Sequence, residues 1–194
     1  LPLLNSQEPL VRAAAYASLK DLAGEDNLPQ LYTLLASSTQ ATETTDVQEG
    51  IIAAVRQAKD KSAQSNMALE QMDKASAEKK PLYLNILANI GDKKSLSAVS
   101  KAFEQGDAAT KQAAVTALSQ WVDLSATPVL FSIAKKTDDA SLKNQAIRGY
   151  VNTISNSAYP PEEKIIYLRN TMEIAQTVPQ KKLILQEAAD NKTF

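Results

Sequence analysis

The chain has 194 residues, 44% of them apolar and 22% charged, the balance of a folded protein and not of a disordered one. Its 21 basic and 22 acidic residues leave a net charge of −1, too weak a field to draw in a polyanion, which argues against nucleic acid as the main partner. With no Cys and no His, thiol chemistry, disulfides, the common zinc sites and every His-based triad are excluded.

Gly is scarce, at 5, and aromatics make up only 5%. A sheet protein of this length needs more turn glycines and more β-branched or aromatic residues. Ala, Leu, Lys, Gln and Glu dominate instead, and these favour helix. No run of 18 apolar residues occurs, so no membrane insertion is expected.

The first segment, LPLLNSQEP (1–9), reads as the tail of a helix separated from its partner, and further repeats or another domain are expected upstream. In the next, Val11, Ala15, Leu19 and Leu22 form one apolar stripe at helical spacing. Pro9 suits the helix start and Gly24 its stop. A second apolar run, Leu28, Leu31, Leu34 and Leu35, has Pro29 in its first turn. The unit is therefore helix, short turn, helix.

That unit recurs. VQEGIIAAVRQAKD (47–60) aligns without a gap on VRAAAYASLKDLAG (11–24), and KPLYLNILANIGD (80–92), TKQAAVTALSQWVD (110–123), LKNQAIRGYVNTIS (142–155) and QKKLILQEAADNK (180–192) follow. Their equivalent positions are Leu19, Val55, Leu87, Leu118, Tyr150 and Ala188, a sustained period of roughly 31 to 38 residues. Between these A helices lie B helices, predicted over 27–37, 65–76, 95–105, 126–136 and 161–176. Pro29 and Pro128 sit just inside the first turn of two of them, where a missing amide costs nothing. Turn signals separate the segments at Gly24-Glu25-Asp26, Gly91-Asp92, Gly106-Asp107, Asp138-Asp139 and Tyr159-Pro160-Pro161.

A helices also begin alike. Glu8 precedes Arg12, Asp107 precedes Lys111 and Asp139 precedes Lys143, each by four residues. The acid complements the helix dipole and the base one turn on is placed to pair with it. Ala13 to Ala15 and Ala113-Ala114 let neighbouring backbones approach, and Gly50 and Gly149, mid-helix, suit the same role despite a cost of about 1 kcal/mol each against Ala.

The acid-then-base helix start, the small-residue helices RAAAYASL and KQAAVTAL, and the Leu28-Pro29-Gln30-Leu31 opening of a B helix resemble the HEAT-like repeat family, including its lyase-type, armadillo-like subgroup. The resemblance covers about residues 1–192. It implies an all-α fold, a right-handed α-α superhelix of about five to six hairpins, taken as a single domain over 1–194. Pro81 and the polar segment 65–76 depart from the pattern. One helix pair cannot bury its own apolar face, so stacked pairs supply the core.

Signals of catalysis are poor. Gly91-Asp92-Lys93-Lys94-Ser95 lacks the spacing of a phosphate-binding loop and reads as a polar turn. The paired acids Glu25-Asp26, Asp138-Asp139 and Glu162-Glu163 stand where acids cap helices. No loop supplies the six or more oxygens that Ca²⁺ wants. No cofactor and no metal site is expected. The lysine pairs at 79–80, 93–94, 135–136 and 181–182 read as helix-end solubility or as an anion-binding edge, and interleaved acids favour the former. Trp121, at the Leu22 position, belongs to the core. A DNA-glycosylase-like role for Trp121 with Asp123 would need a basic face that the chain lacks.

In HEAT-like proteins the B helices line the usual docking face. Tyr32, Phe131 and Tyr167 fall there, either as an exposed aromatic docking strip or as packing between repeats. The resemblance implies a non-catalytic scaffold for protein–protein interaction within a larger protein. Two other readings follow from family analogy: an accessory repeat region of a bacterial extracytoplasmic glycan-processing enzyme, with catalysis outside this chain, and a lyase-like or chaperone-like role in cofactor attachment. The glycan reading places the chain in the periplasm or at the cell surface.

Overall fold

A computed structural model describes residues 2–191. Among these residues the secondary structure is helical throughout, with no strand. Twelve α-helices follow in order: α1 (Pro9–Ala17), α2 (Leu19–Leu22), α3 (Leu28–Ser37), α4 (Ala41–Gln57), α5 (Lys61–Lys74), α6 (Lys80–Ile90), α7 (Lys93–Gln105), α8 (Ala108–Ser119), α9 (Thr127–Lys136), α10 (Ala140–Ser155), α11 (Pro161–Ile174) and α12 (Val178–Asp190). The ends of the first and last predicted segments, Leu1 and Lys192, lie outside the described residues. None of the described helices is long and apolar enough to cross a membrane.

The chain divides into two compact units, Leu1–Ser95 and Leu96–Phe194. In the first, α4 is central. It packs on α2, α3 and α6, and α6 in turn packs on α5. Leu28, Leu31, Leu35, Val47, Ile51, Val55, Leu84 and Leu87 are closed to solvent there. In the second unit α10 is central, packing on α8, α9, α11 and α12, with Val115, Leu118, Leu130, Ile147, Val151 and Leu168 buried between them.

Five of the six repeat-equivalent positions, Leu19, Val55, Leu87, Leu118 and Tyr150, are buried, and Ala188 is partly exposed. The expected stripe of the first helix is shifted. Val11 is exposed and Leu22 is 79% exposed, whereas Tyr16 and Leu19 are buried. The buried positions Tyr16, Leu19 and Ala23 are three and four apart, a helical stripe that passes beside Val11 and Leu22. Residues 2–5 form a 3-10 turn, not a helix tail. The polar segment expected at 65–76 begins four residues earlier, because the Asp60 carboxylate accepts the Ala63 amide and caps α5.

The close approaches predicted for the two mid-helix glycines are present. A Cβ on Gly50 would lie 2.9 Å from the Leu19 Cβ, and one on Gly149 would lie 2.6 Å from the Ser119 Cβ. Gly91 ends α6 in the left-handed conformation, φ +75°. The acid–base helix starts are built differently from expectation. Asp107 accepts the Thr110 amide and Asp139 those of Ser141 and Leu142, so these acids act as caps. Arg12 pairs not with Glu8 but with Glu43 of α4, 3.2 Å away, and also donates to the Ser6 carbonyl. A cap satisfies one orphan amide at Asp107 and two at Asp139, which an exposed one-turn ion pair worth about a few tenths of a kcal/mol does not outweigh.

Candidate functional site

The three aromatics proposed as a docking strip have different fates. Tyr32, on α3, is closed to solvent. Its ring stacks on Tyr83 of α6, centroids 6.1 Å apart and planes 7° apart. It offers no surface to a partner, which corrects the docking assignment for this residue. The reason lies in its register: Leu28, Leu31, Tyr32 and Leu35 form the buried face of α3, so the ring following Leu31 points into the core. Its hydroxyl is buried without a partner, and burial raises its pKa well above the ordinary tyrosine value.

Phe131 and Tyr167 do meet at a surface. Both are partly exposed, and both line a pocket of about 360 Å³ in the second unit, together with Pro128, Tyr150, Ile154, Tyr159 and Asn170. The sequence builds this pocket from four places. Pro128 in the first turn of α9 sets the direction of that helix and puts Phe131 one turn on. Tyr150 comes from the central helix α10. Tyr159 sits in the turn before Pro160-Pro161. Tyr167 and Asn170 lie three apart on α11, on one face.

The rings are held in two pairs. Phe131 tilts against Tyr150 at 5.4 Å and 50°, and Tyr159 stacks on Tyr167 at 5.3 Å and 22°. Burial, opposed by a hydrogen bond with Thr171, pushes the Tyr150 phenol up to about 12. The Tyr159 phenol is also raised, first by its hydrogen bond with Tyr167. Thr127, also in the lining, is buried and its Oγ1 has no partner. No residue of the lining carries a charge at neutral pH. The arrangement offers aromatic and prolyl surface with a single side-chain amide. Stacking is the chemistry it supports.

Sequence reading placed Tyr150 as a repeat position and Tyr159 as turn punctuation, and so missed half of the ring cluster. An aromatic directly before a Pro-Pro turn, with Tyr167 two helical turns beyond it, was the available signal.

Other candidates resolve into structure. Trp121 is buried, but beyond the end of α8 and with its Nε1 unpartnered, while the Asp123 carboxylate beside it caps Ser125. Glu25 accepts from Gln64, 2.8 Å away. The Lys79 ammonium donates to the carbonyls of Leu35, Ala36 and Ser38, each at 2.7 Å, and so closes the C-terminus of α3. Lys94 is hydrogen-bonded to Asn66. A larger pocket of about 580 Å³ mixes Lys111 and Lys136 with Glu104 and Asp139, so no one sign of charge converges there. Among the described residues no group of three or more acids could hold a metal ion.

No protein-family model matches the chain, and no curated protein matches it. Among solved structures the chain is similar to an engineered protein from the Northeast Structural Genomics Consortium. The two are 16% identical, the alignment covers 98% of this chain and 93% of that one, and the TM-score is 0.45.

Proposed function

We propose that the chain is a non-catalytic helical-repeat scaffold that binds another protein, with its hairpins stacked as a HEAT-like right-handed superhelix of five to six repeats. The observation that carries the binding role is the uncharged aromatic pocket of Phe131, Tyr150, Tyr159 and Tyr167. Partly exposed rings beside a proline are the groups that dominate protein recognition energetically. Two further facts support the repeat reading. The A helices pack in series within each unit, α2 on α4 on α6 and α8 on α10 on α12. Their equivalent positions recur in sequence and are buried five times in six. Stacking of this kind leaves one face of each repeat free for a partner.

The test is affinity capture with the chain immobilised, run beside a Phe131→Ala/Tyr167→Ala double variant of unchanged helical content. A partner retained by the wild type and lost by the variant is the expected result. Equal capture by both removes the pocket from the reading. Turnover of a glycan by the purified chain overturns the scaffold reading itself.

A further inference from the structure

The aromatic pocket says something about the chemistry of its occupant. Its rings present a large hydrophobic area, and its polar groups are few. Tyr159 packs ring against ring on Tyr167 and Phe131 on Tyr150, and the Thr127 hydroxyl is closed off from solvent. The one side-chain amide of the lining, that of Asn170, is exposed and can pair with a ligand. A sugar ring, with a hydroxyl on nearly every carbon, would lose hydration and find partners for few of its hydroxyls. A prolyl ring carries no polar atom. In a polyproline II segment the backbone carbonyls stand outward, where one amide donor can take one of them, and the conformation is formed before binding. Aromatic grooves edged by proline suit such segments for this reason.

Charge beside the pocket narrows the ligand further. Glu163, Tyr167 and Asn170 are spaced four and three apart on α11, so they share one face. Glu163 is exposed and close enough to Tyr159 for its charge to act on the phenol. Lys164, next to Glu163 in the chain, is committed to the Ser155 carbonyl at 2.8 Å. A carboxylate at the edge of an otherwise uncharged aromatic surface complements a guanidinium, which pairs with the acid and stacks on a tyrosine face.

We infer that the pocket formed by Phe131, Tyr150, Tyr159 and Tyr167 receives a polyproline II segment of a partner protein, with an arginine beside its prolines set against Glu163. This rests on the docking reading above and assigns the chemical class of its partner.

The experiment titrates the chain, followed by NMR or tyrosine fluorescence, with three probes. These are a blocked hexaproline peptide ending in Arg, the same peptide ending in Glu, and a linear glucose oligosaccharide. Saturable binding of the Arg peptide is expected, about fivefold tighter than the Glu peptide at low salt. Tyr167→Ala weakens it at least about tenfold. Asn170→Ala, on the surface, weakens it without risk to the core, and Glu163→Gln removes most of the preference for Arg. Absence of binding by either proline peptide overturns the inference, as does binding that neither Tyr167→Ala nor Asn170→Ala weakens. Binding of the oligosaccharide alone overturns it in favour of a sugar. If the double variant of the capture experiment still loses a partner while no proline peptide binds, the docking reading stands and the ligand class falls. If neither effect is seen, both fall.

Discussion

Tyr32 and Tyr83 stack face to face inside the first unit, with ring planes 7° apart and the Tyr32 hydroxyl buried without a partner. The ring and the hydroxyl make opposite contributions. The ring fills volume between α3 and α6, whereas a buried hydroxyl that makes no hydrogen bond costs about 1–3 kcal/mol. Tyr32→Phe is therefore expected to leave stability unchanged or raise it by up to about 1–2 kcal/mol. Tyr32→Ala should lose about 3–5 kcal/mol through the cavity it opens. Urea denaturation of the two variants checks this; a loss for Phe comparable to that for Ala would show that the hydroxyl has a partner.

Gly149 and Ser119 bring α10 and α8 into contact. Ala is the better helix former by about 1 kcal/mol, so propensity alone says that Gly149→Ala stabilises. Contact says the reverse, since the new Cβ would lie 2.6 Å from the Ser119 Cβ. A net loss of about 1–3 kcal/mol is expected from overpacking. Ser119→Gly should recover part of it in the double variant, and a thermodynamic cycle reads the coupling directly. Gly50→Ala, with its nearest contact at 2.9 Å, should lose less.

Lys79 is a structural cap. Its ammonium donates to three carbonyls at the end of α3. Lys79→Met keeps much of the stem and removes the donors, and should cost about 1–2 kcal/mol, discounted for the partial exposure of the site. Lys80→Met, at an exposed neighbour, should change stability by less than about 0.5 kcal/mol. Thermal melts of the pair test the assignment.

The buried phenols make stability fall in alkali. Tyr32, Tyr83 and Tyr150 all have folded pKa values raised by burial, Tyr150 to about 12, against 10.0 for an ordinary tyrosine. The unfolded chain therefore releases these protons first. Their contribution is complete below pH 10 and is lost as pH rises from 10 towards the folded values. Urea midpoints should drop as pH rises from about 10 to about 11.5, and Tyr150→Phe should make the drop shallower. At the acid end, Asp107 is held low by its capping hydrogen bonds from Thr110. For Asp92, burial raises the pKa, but hydrogen bonds with Ser65 and Ser95 outweigh it and the net shift is down. Both contributions are present above the ordinary carboxylate range and fade as pH falls through the lowered values.

Sequence alone determined the helices, their order and the recurrence of their core positions, because these are local properties. Apolar spacing of three and four, Pro in the first turn and Asp before it act within one or two helical turns, and they located α3, α6, α8, α9 and α10 to within a few residues. The close approaches of Gly50 and Gly149 were legible for the same reason, since a mid-helix glycine is costly unless a neighbour needs the space.

Tertiary structure decided which face of each helix meets what. Tyr32 and Phe131 follow a leucine in aligned helices, yet Tyr32 is sealed against Tyr83 while Phe131 stays partly exposed beside Tyr150. Nothing within a turn of either residue separates them. The difference comes from what stands opposite, a ring on α6 in one unit and a pocket edge in the other. The same holds for Arg12, whose partner Glu43 lies on another helix, and for Tyr159, which joins Tyr167 only when α11 folds back after its two prolines. Burial and pairing across helices depend on side chains distant in sequence, and period and composition carry no record of them.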